Sequence, residues 1–230
     1  MAIAVLAAIA CGCCEVGLHV AAAQVPPAAA EIPRYTGLHA AALSGDVAQL
    51  RVLAAGGADL NARDDHGRTP LHVATYARQA NAIRALAAAG ADLGALENDR
   101  YDCVTIAAVA DDEKTLATLL ELGASAKLVT SRYDGTALIA AAHLGHAGVV
   151  KQLIAAGAPL DHVNNLHWTA VIESIVLGNG GRRHQETLAA LVGAGANLQL
   201  ADSSGRTPLE LARSRDYLEM TRMLERAGAR

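Results

Sequence analysis

Apolar residues in this chain come in short bursts at helical spacing, separated by small polar breaks. Leu71 and Ala74 are three apart and give a short helix a small apolar face. A break follows, and then Ile83-Arg84-Ala85-Leu86-Ala87-Ala88-Ala89 reads as a second helix that stops at Gly90. Asp64-Asp65-His66-Gly67, ahead of the first helix, is a turn signal. One unit is therefore turn, helix, turn, helix, loop. Helices this short and alanine-rich do not stand alone in water, so the units must stack on one another.

The unit recurs. Gly67-Arg68-Thr69-Pro70-Leu71-His72-Val73-Ala74 returns almost unchanged as Gly205-Arg206-Thr207-Pro208-Leu209-Glu210-Leu211-Ala212. Taking the Thr as anchor, the copies fall at Thr36, Thr69, Cys103, Thr136, Thr169 and Thr207, in steps of 33, 34, 33, 33 and 38. The glycine of a Gly-Ala pair gives a second series: Gly57, Gly90, Gly123, Gly157, Gly195 and Gly228. Two landmarks sharing one period near 33 define a repeat architecture. Within a copy, Thr69 can accept a hydrogen bond from an orphan backbone N–H as N-cap, and Pro70 follows where its missing N–H costs nothing.

Thr69-Pro70-Leu71-His72, Gly45, Leu50, Leu53, Gly57-Ala58-Asp59 and Asn61 carry a pattern that resembles the ankyrin repeat. The resemblance covers roughly residues 36 to 230 and implies an all-α solenoid of about six helix-turn-helix repeats joined by β-turn or hairpin loops. The six repeats fall near 34–64, 65–97, 98–130, 131–163, 164–200 and 201–230. The resemblance implies a protein partner and is silent on which one.

It also implies a concave surface lined by the turns and the outward side of each first helix. The residue before each anchor is then expected to be exposed: Arg68, Asp102, Gly135, Trp168 and Arg206. The fourth residue after it points the same way: Ala40, Val73, Ala107, Ala140, Glu173 and Leu211. Tyr76, His143 and Val176 lie one turn further. Tyr101, Tyr133 and Trp168 fall on neighbouring turns, and in a chain this poor in aromatics they suggest a recognition patch. The alternative is that these tips pack on each other. Glu173 is the odd residue of its helix, and the bland reading has it bonding the backbone of the following loop. Copy three reads as degenerate, with Tyr101 for the turn glycine, Cys103 for Thr, and one residue deleted between anchor and glycine. Copy five gains five residues, assigned to a loop at Gly178–His184 in which Arg182 and Arg183 would meet an acidic partner.

Composition adds limits. The chain has 230 residues, 52% of them hydrophobic, no Phe, 3% aromatics and a formal charge of -4. An alanine-packed solenoid does without large aromatics, and the absence of a basic block makes nucleic acid a poor partner. Residues 1–23 read as a secretory signal with an A-x-A site at Ala21–Ala23, although no Lys or Arg precedes Arg34. A buried N-terminal helix and a lipid anchor at Cys11 are the alternatives. Cleavage would remove Cys11, Cys13 and Cys14 and leave Cys103 without an internal disulfide partner. Residues 24–33 read as an extended or disordered Pro/Ala-rich lead-in. The mature chain is expected in the periplasm, as a monomer without stable membrane insertion.

Nine histidines raise the question of metal or haem. The structural reading is that most serve the repeat itself. The competing one is a haem or metal carrier for an oxidative-stress enzyme, using His143, His146 and nearby loop histidines. The glycine-rich loop lacks the spacing of a phosphate cradle, and no nucleophile has a credible partner. The expectation is a non-catalytic adaptor without cofactor, binding a protein through Arg68, Tyr76, Tyr101, Asp102, Tyr133, Trp168, Glu173, Arg182 and Arg183.

Overall fold

The computed structural model describes residues 25–230. Residues 1–24, with the expected signal, Cys11, Cys13 and Cys14, lie outside the described residues. Six helix pairs follow in order: α1 (Gly37–Ser44) and α2 (Val47–Ala55), α3 (Pro70–Tyr76) and α4 (Ala80–Ala89), α5 (Cys103–Val109) and α6 (Glu113–Glu121), α7 (Ala137–Leu144) and α8 (Ala147–Ala155), α9 (Ala170–Val176) and α10 (Arg182–Gly193), α11 (Pro208–Arg213) and α12 (Leu218–Arg226). First helices pack on first helices and second on second, so the chain is a solenoid whose repeats touch mainly their neighbours. The core lies between the rows. Ile83 and Leu86, Leu116 and Leu119, Val150 and Leu153, and Leu188 and Leu191 put paired apolar side chains at helical spacing into it.

The caps form as the residues dictate. Thr69 Oγ1 accepts from His72 N at 3.5 Å, and Thr69 N donates to His72 Nδ1 at 3.1 Å, closing a capping box. Because Nδ1 accepts, the ring proton sits on Nε2, which donates to Tyr101 O of the next repeat at 3.2 Å. One histidine thus finishes its own helix and staples it to the neighbour. Burial pushes its pKa down to about 4, which keeps it neutral for this role.

Copy three is in a different register from the one the sequence suggested. Asp102, not Cys103, is its N-cap: the Asp102 carboxylate accepts from Thr105 N at 2.8 Å, and Cys103 is the first helical residue. An Asp caps as well as a Thr. With Asp102 as anchor the distance to Gly123 is 21, the same as Thr69 to Gly90, so nothing is deleted. The extra residue belongs to the turn of copy four. Backbone bonds Asp64 N to Arg68 O, Glu97 N to Tyr101 O, Asn164 N to Trp168 O and Asp202 N to Arg206 O each close a turn four residues on. In copy four, β1 (Val129–Thr130) pairs antiparallel with β2 (Gly135–Thr136), and Thr130 faces Gly135, five residues on.

Two further expectations change. The lead-in is ordered: Ile32–Arg34 forms a 3-10 turn, and Arg68 Nη1 donates to Val25 O at 3.0 Å. The insertion of copy five is not a floppy loop. The step from cap to second helix is 13 residues (Thr169 to Arg182) against 11 elsewhere (Thr69 to Ala80), and α10 has 12 residues against 9 in α8. Two residues lengthen the connection and three add to the helix. Arg182, Arg183 and His184 therefore form the first turn of α10. The connection is tight: Gly180 has φ 66, and a Cβ there would meet the Tyr217 ring at 2.5 Å. Tyr217 OH donates to Gly178 O at 2.9 Å and ties the connection to repeat six. The last repeat faces outward with charged pairs, Arg213 with Glu225 and Arg222 with Glu219. Among the described residues, no helix is long and apolar enough to cross a membrane.

Candidate partner-binding face

The first helices turn one side toward the core and leave one side open. The open side is marked by the seventh residue after each cap: Leu43, Tyr76, Val109, His143 and Val176 are half-buried, and Ser214 of the last repeat is exposed. The fourth residue, expected to share this exposure, does not. Val73, Glu173 and Leu211 are buried, as are Ala107 and its in-register counterpart Ile106, while Ala40 and Ala140 are half-buried. Neighbouring first helices pack close enough to cover this position.

The residue before the cap is corrected as well. In register these are Arg68, Tyr101, Gly135, Trp168 and Arg206. Arg68 is 1% exposed and Tyr101 9%, Gly135 is buried, Trp168 is half-buried, and Arg206 alone is exposed. Asp102, one place on, is a buried cap, and burial raises its pKa above the ordinary value. The reason is the closing bond of each turn, which draws this residue back against the helix pair. The exposed tip comes one to three residues earlier: Asp65, Asn98, Arg100, Arg132, Asn165, Leu166 and His167. Sequence reasoning missed these residues. Arg100 and His167 have φ 66 and 60, the left-handed geometry that Gly67 and Gly205 supply in more regular copies, so absence of the turn glycine was the available signal.

The tips are laced together. Asn98 N donates to His66 O, Ser131 N to Arg100 O and Asn165 N to Tyr133 O, each at 3.0 Å. Arg132 pairs with Asp99 at 2.7 Å and Arg100 with Asp134 at 3.4 Å. The charges on these tips are thus largely matched with each other. The uncovered side chains of the repeat-five turn are the polar Asn165 and His167 and the apolar Leu166. Leu166 is 40% exposed, Tyr133 and Trp168 are half-buried, and Val129 and Val163 are exposed.

Arg68 has a structural task. Its Nε donates to Asp64 Oδ2 at 2.7 Å and its Nη2 to Glu31 Oε2 at 2.8 Å. The Arg68 guanidinium holds the Glu31 pKa down to about 2. Burial opposes ionisation of Asp64, but hydrogen bonds from Tyr35 and Arg68 outweigh it and leave the carboxyl below its ordinary value. The buried cation is met by two anions and a carbonyl.

Glu173 is the reverse case. It is 5% exposed, and its Oε1 accepts from Asn164 Nδ2 at 2.8 Å, not from the loop backbone as the bland reading had it. Its Oε2 lies 3.6 Å from His143 Nδ1, too far for a normal hydrogen bond. Burial pushes the pKa of Glu173 up to about 8, against the opposing Asn164 bond. Burial also pushes His143 below its ordinary value, and the nearby His184 and His146 add to that.

The remaining candidates separate. Arg183 pairs with Asp111 of repeat three at 2.8 Å, and Arg182 with Glu186 of its own helix at 2.8 Å. His39, His146 and His184 each donate to a backbone carbonyl of another repeat, Arg68 O, Ala108 O and His143 O, and His162 donates to Asp134 O of its own repeat. No group of three or more His, Cys, Asp or Glu among the described residues is placed to hold a metal ion. Cys103 is buried, and burial raises its thiol pKa far above the usual range.

Comparison with known proteins places this geometry. The family model "Ankyrin repeats (3 copies)" matches residues 6–97, and "Ankyrin repeat" matches residues 133–165. The chain is 34% identical over 190 residues to the ankyrin repeat protein YahD of Escherichia coli (strain K12), covering 82% of this chain and 94% of that one. An ankyrin repeat domain from Acinetobacter baumannii AYE has a crystal structure similar at TM-score 0.79 and 44% identity, over 84% of this chain and 98% of that one. The ankyrin repeat domain of Bcl-3, of the IkappaB protein family, is similar at TM-score 0.76 and 28% identity, over 85% of this chain and 87% of that one.

Proposed function

Because the chain belongs to the ankyrin repeat family, we propose that it is a non-catalytic, monomeric adaptor that binds another protein through the turns and open first-helix side of repeats three to five. The observation that carries this reading is the uncovered apolar strip on adjacent turns, Tyr133, Leu166 and Trp168, on tips whose charges are otherwise matched. Aromatic and aliphatic side chains held half-buried on rigid turns offer contact area at little entropic cost on binding. Tyr76 stands on the same open side in repeat two. Arg68, Tyr101 and Asp102 shape the scaffold beneath it. The apolar N-terminal run with Ala21–Ala23 supports export to the periplasm.

Affinity capture from the cell envelope tests the face. Wild type should recover a defined partner, and Tyr133→Ala combined with Trp168→Ala should lose it while keeping wild-type circular dichroism. Equal recovery by both forms overturns the assignment. Fractionation tests export: a processed chain in the periplasm is expected, and full-length chain confined to the cytoplasm overturns it.

A further inference from the structure

Glu173 stands where repeats two, three and six place Val73, Ile106 and Leu211, all buried. A carboxyl at an apolar position is costly unless something meets it. At Arg68 a buried charge is met fully, by two carboxylates. Glu173 receives one amide. Asn164 is fixed in that role, because its Oδ1 accepts from Leu166 N and Trp168 N, each at 3.0 Å, which aims its Nδ2 at Glu173 Oε1. Oε2 keeps no hydrogen bond among the described residues. On its side stands the His143 ring, itself one-third exposed on the open side of the first-helix row. Asn164 ties the carboxyl through Oε1 to the turn that carries Leu166 and Trp168, while Oε2 faces the His143 ring.

We propose that Glu173 Oε2, with His143 at its rim, is a socket for one cationic side chain, arginine or lysine, of the bound protein, set in an otherwise apolar contact. The inference rests on the protein-binding reading above and names the chemistry of the partner. A guanidinium or ammonium displaces to solvent the proton that burial keeps on Glu173, and the charge-assisted bond that results in a water-poor site is among the stronger single contacts available. The neighbouring aromatic Trp168 suits a cation with an aliphatic stem. Among the described residues no arginine or lysine pairs with Glu173: Arg182 and Arg183 are paired elsewhere, and Arg206 binds Asp202 at 2.9 Å.

A random-peptide display library panned on the folded wild-type chain tests this. Selected peptides should share an arginine or lysine at one position. Replacing that residue by norleucine should weaken binding to wild type at least tenfold, whereas against Glu173→Gln the same replacement should change little. Glu173→Gln keeps the acceptor for Asn164, and the peptide-side replacement leaves the protein untouched, so loss of fold is not confused with loss of the socket. Peptides without a shared basic residue, or peptides that bind Glu173→Gln as tightly as wild type, overturn the socket and leave the adaptor reading standing if they still fail to bind Tyr133→Ala with Trp168→Ala. Peptides that bind that double variant undiminished overturn the face and the socket together, as does failure to select any peptide.

Discussion

Repeat two closes its turn on Arg68, and the guanidinium passes under the lead-in to meet Asp64 and Glu31. Repeat five has the same turn with three changes. Asn164 replaces the opening acid, Trp168 replaces the arginine, and a carboxyl reappears at Glu173, on the helix and without a cation. The backbone is the same in both: residue 64 bonds to 68, and 164 to 168. The side chains lock one turn and leave the other with an acid that lacks a cation and a half-buried indole. Scaffolds satisfy their buried polar groups almost everywhere, and a place where one does not is a place to look for a partner.

The strongest way to break this comparison is Arg68→Met. Two carboxylates would lose their buried cation, and we expect a loss of about 3–5 kcal/mol in urea denaturation. A loss under about 1 kcal/mol would mean that repeat two is not locked by this network. The next test uses pH. The folded pKa of Glu173 is about 8 against an ordinary value of 4.5, so between these values the folded state holds a proton that the unfolded state has released. Stability from this group is therefore full below pH 4.5 and falls as pH rises through 8. Wild type should lose about 2–4 kcal/mol more than Glu173→Gln between pH 5 and pH 8, and identical pH profiles would remove the claim of an unmatched buried acid. The smallest effect sharpens the comparison by contrast. Arg183→Ala breaks a pair that spans repeats five and three but is exposed to water, and it should cost under about 1 kcal/mol. A larger cost, read by the same denaturation, would mean that long-range bracing and not burial sets the difference between repeats.

Much of the fold was legible because its signals are local. Thr69 with Pro70 starts a helix, Gly90 stops one, and the 33-residue spacing repeats both. The error at Cys103 arose from following Thr as a letter instead of the capping chemistry, which Asp102 supplies equally well. The site was less legible. Tyr133 and Trp168 were found because aromatics are scarce, and the structure leaves both half-buried on adjacent turns. Arg68, Tyr101 and Asp102 look like surface residues in a sequence, since turns are usually polar and exposed. The closing bond of each turn sends them inward. Leu166 carried no signal, because one exposed leucine is ordinary until its neighbours are known.

The sequence alone determined the period, the caps, the two-helix unit and the family to which they belong, because each depends on residues within a few positions of one another. Only the tertiary structure decided which charges are matched. Arg68 and Glu31 are 37 residues apart, and Arg183 and Asp111 are 72. Stacking of repeats brings such pairs together, and it also leaves Glu173 beside His143 and Asn164 with no arginine or lysine partner among the described residues. Local spacing carries no information about what lies across the stack, and that is where this chain keeps its unmatched acid.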